Sequence, residues 1–185
     1  KICLIHDGVP ESSRSFETAR VYRDQKGSGL PLMVPVIELV EIGAGGGSIA
    51  RVDSMNRIRV GPRSAGSEPG PASYGLGGNE PTVTDANLLL GNLNPEYFGG
   101  GKITLNLDLA EKAVSQKVAG MLELDKHWAS LGILETVDEN MANAAKVHAV
   151  ERGRVLNRHA MIAFGGGAPL HACSIARKLG IERVI

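Results

Sequence analysis

Apolar and polar positions along the 185-residue chain follow two rhythms, one over the first sixty residues and another beyond residue 80. In the first, short apolar runs are broken by turn residues, the pattern of short strands. Lys1 to His6 predicts a strand, "DGVP" a turn, and Glu17 to Arg23 a second strand before the loop "DQKGSG". In "LPLMVPVIELVEI", Pro31 and Pro35 argue against a helix or a central strand, because proline lacks the N–H that a ladder needs, while Val36 to Ile42 is strand-like. Ile49 to Asp53, the turn "SMN" and Arg57 to Val60 carry a hairpin signature.

Beyond residue 80 the apolar positions take the helical period. "PTVTDANLLLGNL" predicts a short helix capped by Thr84 or Asp85. In "LDLAEKAVSQKVAGML", Leu109, Ala113, Val114, Val118 and Leu122 share one face behind Asp108 as N-cap. A longer helix is expected from Leu134 to Glu151, with Val137, Met141, Ala144, Ala145 and His148 along its stripe. A strand at Ala160 to Phe164, a helix at Pro169 to Leu179 stopped by Gly180, and a strand at Arg183 then give an alternating α/β pattern.

Between the two rhythms, Gly61 to Gly78 is so rich in Gly, Pro and Ser that regular structure is not expected; it reads as an ordered functional loop or as a plain linker. Three portions follow: residues 1–60, β-rich with a glycine-rich hairpin; 61–80, the Gly/Pro-rich loop; and 81–185, helical and α/β.

Composition narrows the function classes. A hydrophobic content of 43% suffices for one core or two small lobes, and the 20 Lys and Arg balance the 20 Asp and Glu. No net field recruits nucleic acid or an anionic membrane, so neither is expected as a partner. No apolar run approaches the length of a membrane span. Cys3 and Cys173 lack metal or redox spacing and suit a reducing cytoplasm. Lys1 stands directly in an apolar run and "ERVI" begins another, so both ends read as cut and a fragment is expected.

Two glycine clusters carry the candidate chemistry. In "AFGGGAPLHACSIARKLGI" a strand feeds a helix through Gly165, Gly166 and Gly167, with Pro169 in the first turn. Such a turn leaves backbone N–H groups free and lets an anion approach the main chain; it is a nucleotide cradle or a tight strand-to-helix turn. Gly43, Gly45, Gly46, Gly47 and Ser48 also follow a strand, without the Lys of a Walker loop and without a third fingerprint glycine. They form a phosphate-wrapping nest or a bulged hairpin.

Among acids, Asp85 follows the loop and stands near a helix start, as a metal-binding or activating carboxylate, as a cap, or as both. Asp53 is the weaker candidate. His171, in the first turn after the glycines, is a catalytic donor to substrate or phosphate, or a packed residue; a helix N-terminus favours its neutral form. Arg63, Ser64 and Glu68 are candidates for contacts to substrate or a partner, and Asn140 for the adenosine side should the core be actin-like.

Two glycine clusters without a Walker signature suggest the actin-like ATPase plan. The ordered segments "EIGAGGGSIARVD", "RVGPRSAGSEPGPASYGLGGNEPTVTDANLLLGNL", "ENMANAAKVHAVERG" and "AFGGGAPLHACSIARKLGI" resemble the hydantoinase A / 5-oxoprolinase family, which includes ATP-dependent ketone carboxylase subunits. The likeness runs from about Glu41 onward and departs at one point, "FGGGAPLHA" standing where the family has "FGGAGPLHA". It implies an α/β, actin-like (ribonuclease H-like) ATPase lobe with a mixed sheet and flanking helices. It also implies ATP and Mg²⁺ as cofactors, a small cyclic amide as substrate and a B-type hydantoinase subunit or domain as partner. The implied activity is ATP-dependent hydrolysis of hydantoin-type or 5-oxoproline-type rings, with this chain alone inactive because the family's "GGTSTD"-like phosphate hairpin lies before the position of Lys1. A ketone carboxylase subunit and a non-catalytic scaffold lobe are the alternatives.

Overall fold

In the computed structural model, which describes residues 1–19, 21 and 27–185, the N-terminal unit Lys1–Ile42 consists of short antiparallel ribbons. β1 (Ile5–His6) pairs with β2 (Val9–Pro10) across Asp7 and Gly8, both at positive φ, as a tight two-residue hairpin turn demands. β3 (Ser12–Ser13) pairs with β6 (Val36–Ile37), and Ile2 bridges Val40, so the expected strands at 1–6 and 36–42 are present only as short pieces. β4 (Phe16–Thr18) pairs with β5 (Leu30–Leu32), which places Pro31 opposite Glu17. A two-stranded ribbon has only edges, so a proline without its N–H is accommodated. The end of the expected strand Glu17 to Arg23 lies outside the described residues.

The second unit, Gly43–Ile185, takes in the hairpin together with the helices of the described residues. β7 (Ser48–Val52) and β8 (Ile58–Ser64) are antiparallel with Arg51 opposite Arg59, and a register irregularity lies between Ser48 and Ala50. Asp53 closes the turn. Its Oδ1 accepts from the N–H groups of Met55 (2.9 Å) and Arg57 (3.0 Å), and its Oδ2 from the guanidinium groups of Arg57 and Arg59. Desolvation raises this carboxyl, but the donors of Arg57, Arg59 and Met55 outweigh it and hold the group far below the usual carboxylate range.

The middle of the Gly/Pro-rich segment is packed. Gly70, Pro71, Ala72 and Ser73 are buried, and Ala72–Tyr74 forms a 3₁₀ turn ended by Gly75 at positive φ. Its close turns need glycine: a Cβ on Gly78 would stand 2.2 Å from the Gly70 carbonyl oxygen. Gly78→Ala should therefore force the loop apart and cost about 2 kcal/mol, an overpacking effect read as a lower denaturant midpoint. An unchanged midpoint would mean that the loop is not held as described.

The helices are α1 (Val83–Leu89), α2 (Leu107–Val114), α3 (Gly120–Leu122), α4 (Lys126–Glu151) and α5 (Ala168–Leu179). A π-type turn at Ser115–Ala119 joins α2 to α3, so the predicted single apolar face is interrupted without a break in the chain of helical turns. Two caps and one helix start fall elsewhere than expected. Thr82, and not Thr84 or Asp85, caps α1, with Asp85 as the reciprocal member of a capping box. Asn106, and not Asp108, caps α2 by accepting from the Leu109 N–H. Asp125 caps α4, which starts at Lys126 instead of Leu134 because Ala129 and Ile133 extend its buried face by two turns.

The core joins Ala50 of the hairpin to Val83 and Ala86 of α1, Val114, Val118 and Ala119 around the π turn, and Ala129, Ile133 and Val137 of α4. A smaller cluster under the Gly/Pro loop holds Leu88, Leu105 and Ala110 against Tyr74 and Phe98. The strands expected at Ala160 to Phe164 and at Arg183 meet in parallel through the Met161–Val184 bridge, with α5 as the crossover. Trp128, the single tryptophan of the chain, is 68% exposed. No helix among the described residues is long and apolar enough to cross a membrane.

Candidate functional site

The glycine turn before α5 lies open. Gly165, Gly166 and Gly167 are exposed, and a Cβ added to any of them would meet nothing within 4 Å. Only Gly165, at φ +100°, needs glycine for its backbone conformation. Packing therefore gives no reason for glycine at 166 and 167. The N–H groups of Gly166, Gly167 and Ala168 take no acceptor among the described residues, and α5 begins at Ala168 with Pro169 behind it and no side-chain cap. Three features converge on one surface: uncapped N–H groups, the positive end of a 12-residue helix, and unobstructed approach to the main chain.

His171 occupies the first turn of this helix and is 3% exposed. Its Nδ1 lies 2.7 Å from Oδ1 of Asp138 on α4, itself 5% exposed. Below the pair, Lys178 of α5 donates to Glu139 at 2.7 Å and to Glu135, locking the two helices side by side. The Lys178 hydrogen bond holds the Glu139 carboxyl below its ordinary range, and the bonds to Glu135 and Glu139 raise the ammonium above its own. The carboxylate's contribution to stability is thus present above the unfolded pKa of about 4.3 and fades as pH falls through the lower folded value. That of the ammonium persists until pH rises through its raised value. Lys178→Met should flatten the acid limb of a stability-versus-pH curve near pH 4; an unchanged limb would show that the contacts carry no linkage.

The other glycine turn is used by the fold. Gly46 presents its carbonyl to the Thr84 N–H (2.8 Å) and Gly47 to the Ala65 N–H (2.8 Å). A Cβ on Gly46 would come within 2.6 Å of Thr84 Oγ1, and one on Gly47 within 2.9 Å of Ser64 Oγ. Ser48 turns its hydroxyl back to accept from the Gly45 N–H at 3.0 Å. Gly43, at φ +65°, needs glycine for its backbone. These contacts account for the small residues at 46 and 47 by packing. No hydrogen bond among the described residues joins this turn to Gly165–Gly167.

Asp85 is fully buried. Its Oδ1 accepts from the Ser73 N–H (2.8 Å), and its Oδ2 from the N–H groups of Thr82 (2.8 Å) and Ala72 (3.3 Å) and from the Thr82 hydroxyl (2.8 Å). The carboxylate expected as metal ligand and activating acid is thus already occupied by four donors of its own chain, two from Thr82 in the capping box and two from the loop N–H groups of Ala72 and Ser73. No group of three His, Cys, Asp or Glu able to hold a metal occurs among the described residues. Asp85, fully buried and held by these four donors, does not fit as a ligand of Mg²⁺.

Several relevant groups escaped the sequence reading. Asp138 shares the stripe of Leu134, Met141, Ala145 and His148 at spacings of three and four; a charge on a buried stripe is the signal that marks it. Arg51, Arg59 and Thr136 line, with Asn140 and Asp53, a cleft of about 470 Å³ between the hairpin and α4. Of the loop candidates, Arg63 and Glu68 are exposed, and Ser64 Oγ accepts from the Gly66 N–H.

A profile of the Hydantoinase/oxoprolinase family matches residues 1–185. The acetophenone carboxylase gamma subunit of Aromatoleum aromaticum is 47% identical over 143 residues, 77% of this chain and 20% of that protein. The caprolactamase alpha subunit of Pseudomonas jessenii is 43% identical over 152 residues, 82% of this chain and 22% of that subunit. The crystal structure of the ATP-dependent caprolactamase from P. jessenii superposes with a TM-score of 0.79 at 40% identity, covering 88% of this chain and 24% of that one. The chain thus spans about a fifth to a quarter of the length of these relatives.

Proposed function

The chain belongs to the hydantoinase/oxoprolinase family, and from that premise we propose that it is part of an ATP-dependent hydrolase of cyclic amides, in which it supplies one wall of the nucleotide site. The observation that carries this reading is the open turn Gly165–Gly167, where two of three glycines answer to no demand of the fold. A nucleotide seated there would meet backbone N–H groups and a helix N-terminus, which favour negative charge without a lysine. The likeness to a caprolactamase described as ATP-dependent supports ATP as the cofactor, and an actin-like ATPase lobe is the proposed architecture.

When bound, ATP would supply the phosphoryl group that turns a poor leaving group or an unreactive carbonyl into a reactive one. The part of this chain is to bind, orient and neutralise charge around it. Asn140, on the wall of the hairpin cleft, remains a candidate contact for the adenosine side. A B-type subunit or domain is the proposed partner, since the relatives named above are themselves subunits. The two free cysteines, Cys3 and Cys173, suit a cytoplasmic setting.

One observation favours a second reading within the family: the 47% identity to a carboxylase subunit points equally to ATP-dependent carboxylation of a ketone. Phosphate release by the intact protein with its partner, measured with lactams, hydantoin or 5-oxoproline and separately with ketones plus bicarbonate, decides. Release with a cyclic amide is expected; release with ketone and bicarbonate alone would replace the first reading by the second.

A further inference from the structure

We propose that His171 touches the ligand at the Gly165–Gly167 turn through Nε2, and that Asp138 is the positioning residue which fixes its ring. The inference rests on the nucleotide reading above. Both side chains are more than nine-tenths buried, and Nδ1 is committed to the Asp138 carboxylate at 2.7 Å. Nε2 has no partner among the described residues, yet it is not among the buried polar atoms sealed from solvent. It is therefore the polar end of a buried ring that reaches the surface.

The place is set by the helix. His171 is the fourth residue of α5, and helical side chains lean back over the preceding turn, here the turn that opens on Gly167. A carboxylate on Nδ1 fixes both the orientation of an imidazole and the atom that carries its proton, leaving Nε2 to the ligand. The Lys178 contacts to Glu135 and Glu139 already tie α5 to α4, so the buried pair, about two turns away on the same face of α5, is not needed for that alone.

Two variants of the intact protein separate the roles. His171→Asn keeps an amide nitrogen near the Nδ1 position, able to donate to Asp138, and removes only the Nε2 end. Asp138→Asn keeps the size of the partner and removes its charge. The probe is ADP, followed by titration calorimetry and by the ¹⁵N imidazole resonances of His171. The expected result is a shift of the Nε2 resonance when ADP binds, its loss in Asp138→Asn, and a weakening of ADP binding by about tenfold in both variants, the size of one hydrogen bond to a ligand. ADP binding of unchanged affinity in His171→Asn, with Nε2 unmoved in the parent, would overturn the inference while leaving the nucleotide reading intact. Failure of the parent protein to bind ADP or ATP at all would overturn both.

Discussion

Gly166→Asp is expected to weaken nucleotide binding a hundredfold or more while shifting the melting temperature by no more than about 2 °C. Both halves of this result follow from the same observation. A side chain at 166 meets no atom of the chain within 4 Å and the backbone there is not at positive φ, so the fold has nothing to lose beyond the usual effect of a surface substitution. The same open space lies before the free N–H groups of Gly166, Gly167 and Ala168. A carboxylate placed there occupies the approach to the main chain and cancels the positive end of α5, so an anionic ligand loses contact and meets repulsion together. Calorimetric titration of ADP and ATP, with a melting curve of each protein, measures both quantities. Undiminished affinity in the variant would remove the turn from the nucleotide site. Gly165 is a poorer probe, because its φ of +100° would add backbone strain to any loss of binding.

The second large effect is on stability. Asp85→Ala would leave the N–H groups of Ala72, Ser73 and Thr82 and the Thr82 hydroxyl without their acceptor in a fully buried place. Unsatisfied buried donors cost about 1–3 kcal/mol each before relaxation. A loss of about 4 kcal/mol is expected, seen as a melting temperature lower by roughly 10 °C. Asp85→Asn should fall between, since one acceptor oxygen survives while the amide nitrogen faces donors. If Asp85→Ala instead kept its melting temperature and lost only a metal-dependent activity, the carboxylate would be a ligand and not a strut.

The difference between Asp85 as expected and as found shows where sequence patterns stop. "TVTDAN" identifies a helix start, and both members of the capping box are legible in it. What is not legible is that Ala72 and Ser73, thirteen and twelve residues upstream, bring their N–H groups to the same carboxylate. Gly61 to Gly78 looked open to a linker reading because composition measures local propensity, whereas this loop is ordered by a distant acid and by glycine contacts such as Gly78 on Gly70. The N-terminal unit shows the converse. Its alternation predicted strands longer than those found, since pairing partners, and not alternation, decide where a ladder begins and ends.

By itself the sequence determined the hairpin at Asp53, the amphipathic helices, the αL stop at Gly180 and the two glycine turns, because each depends on dihedral preference or on the period of a single segment. Tertiary structure alone decided that one turn is filled by Thr84 and Ser64 while the other faces open space. It also decided that His171 meets Asp138, 33 positions away on another helix. Those outcomes depend on how α1, α4, α5 and the hairpin pack, and packing joins side chains that no local period or propensity connects.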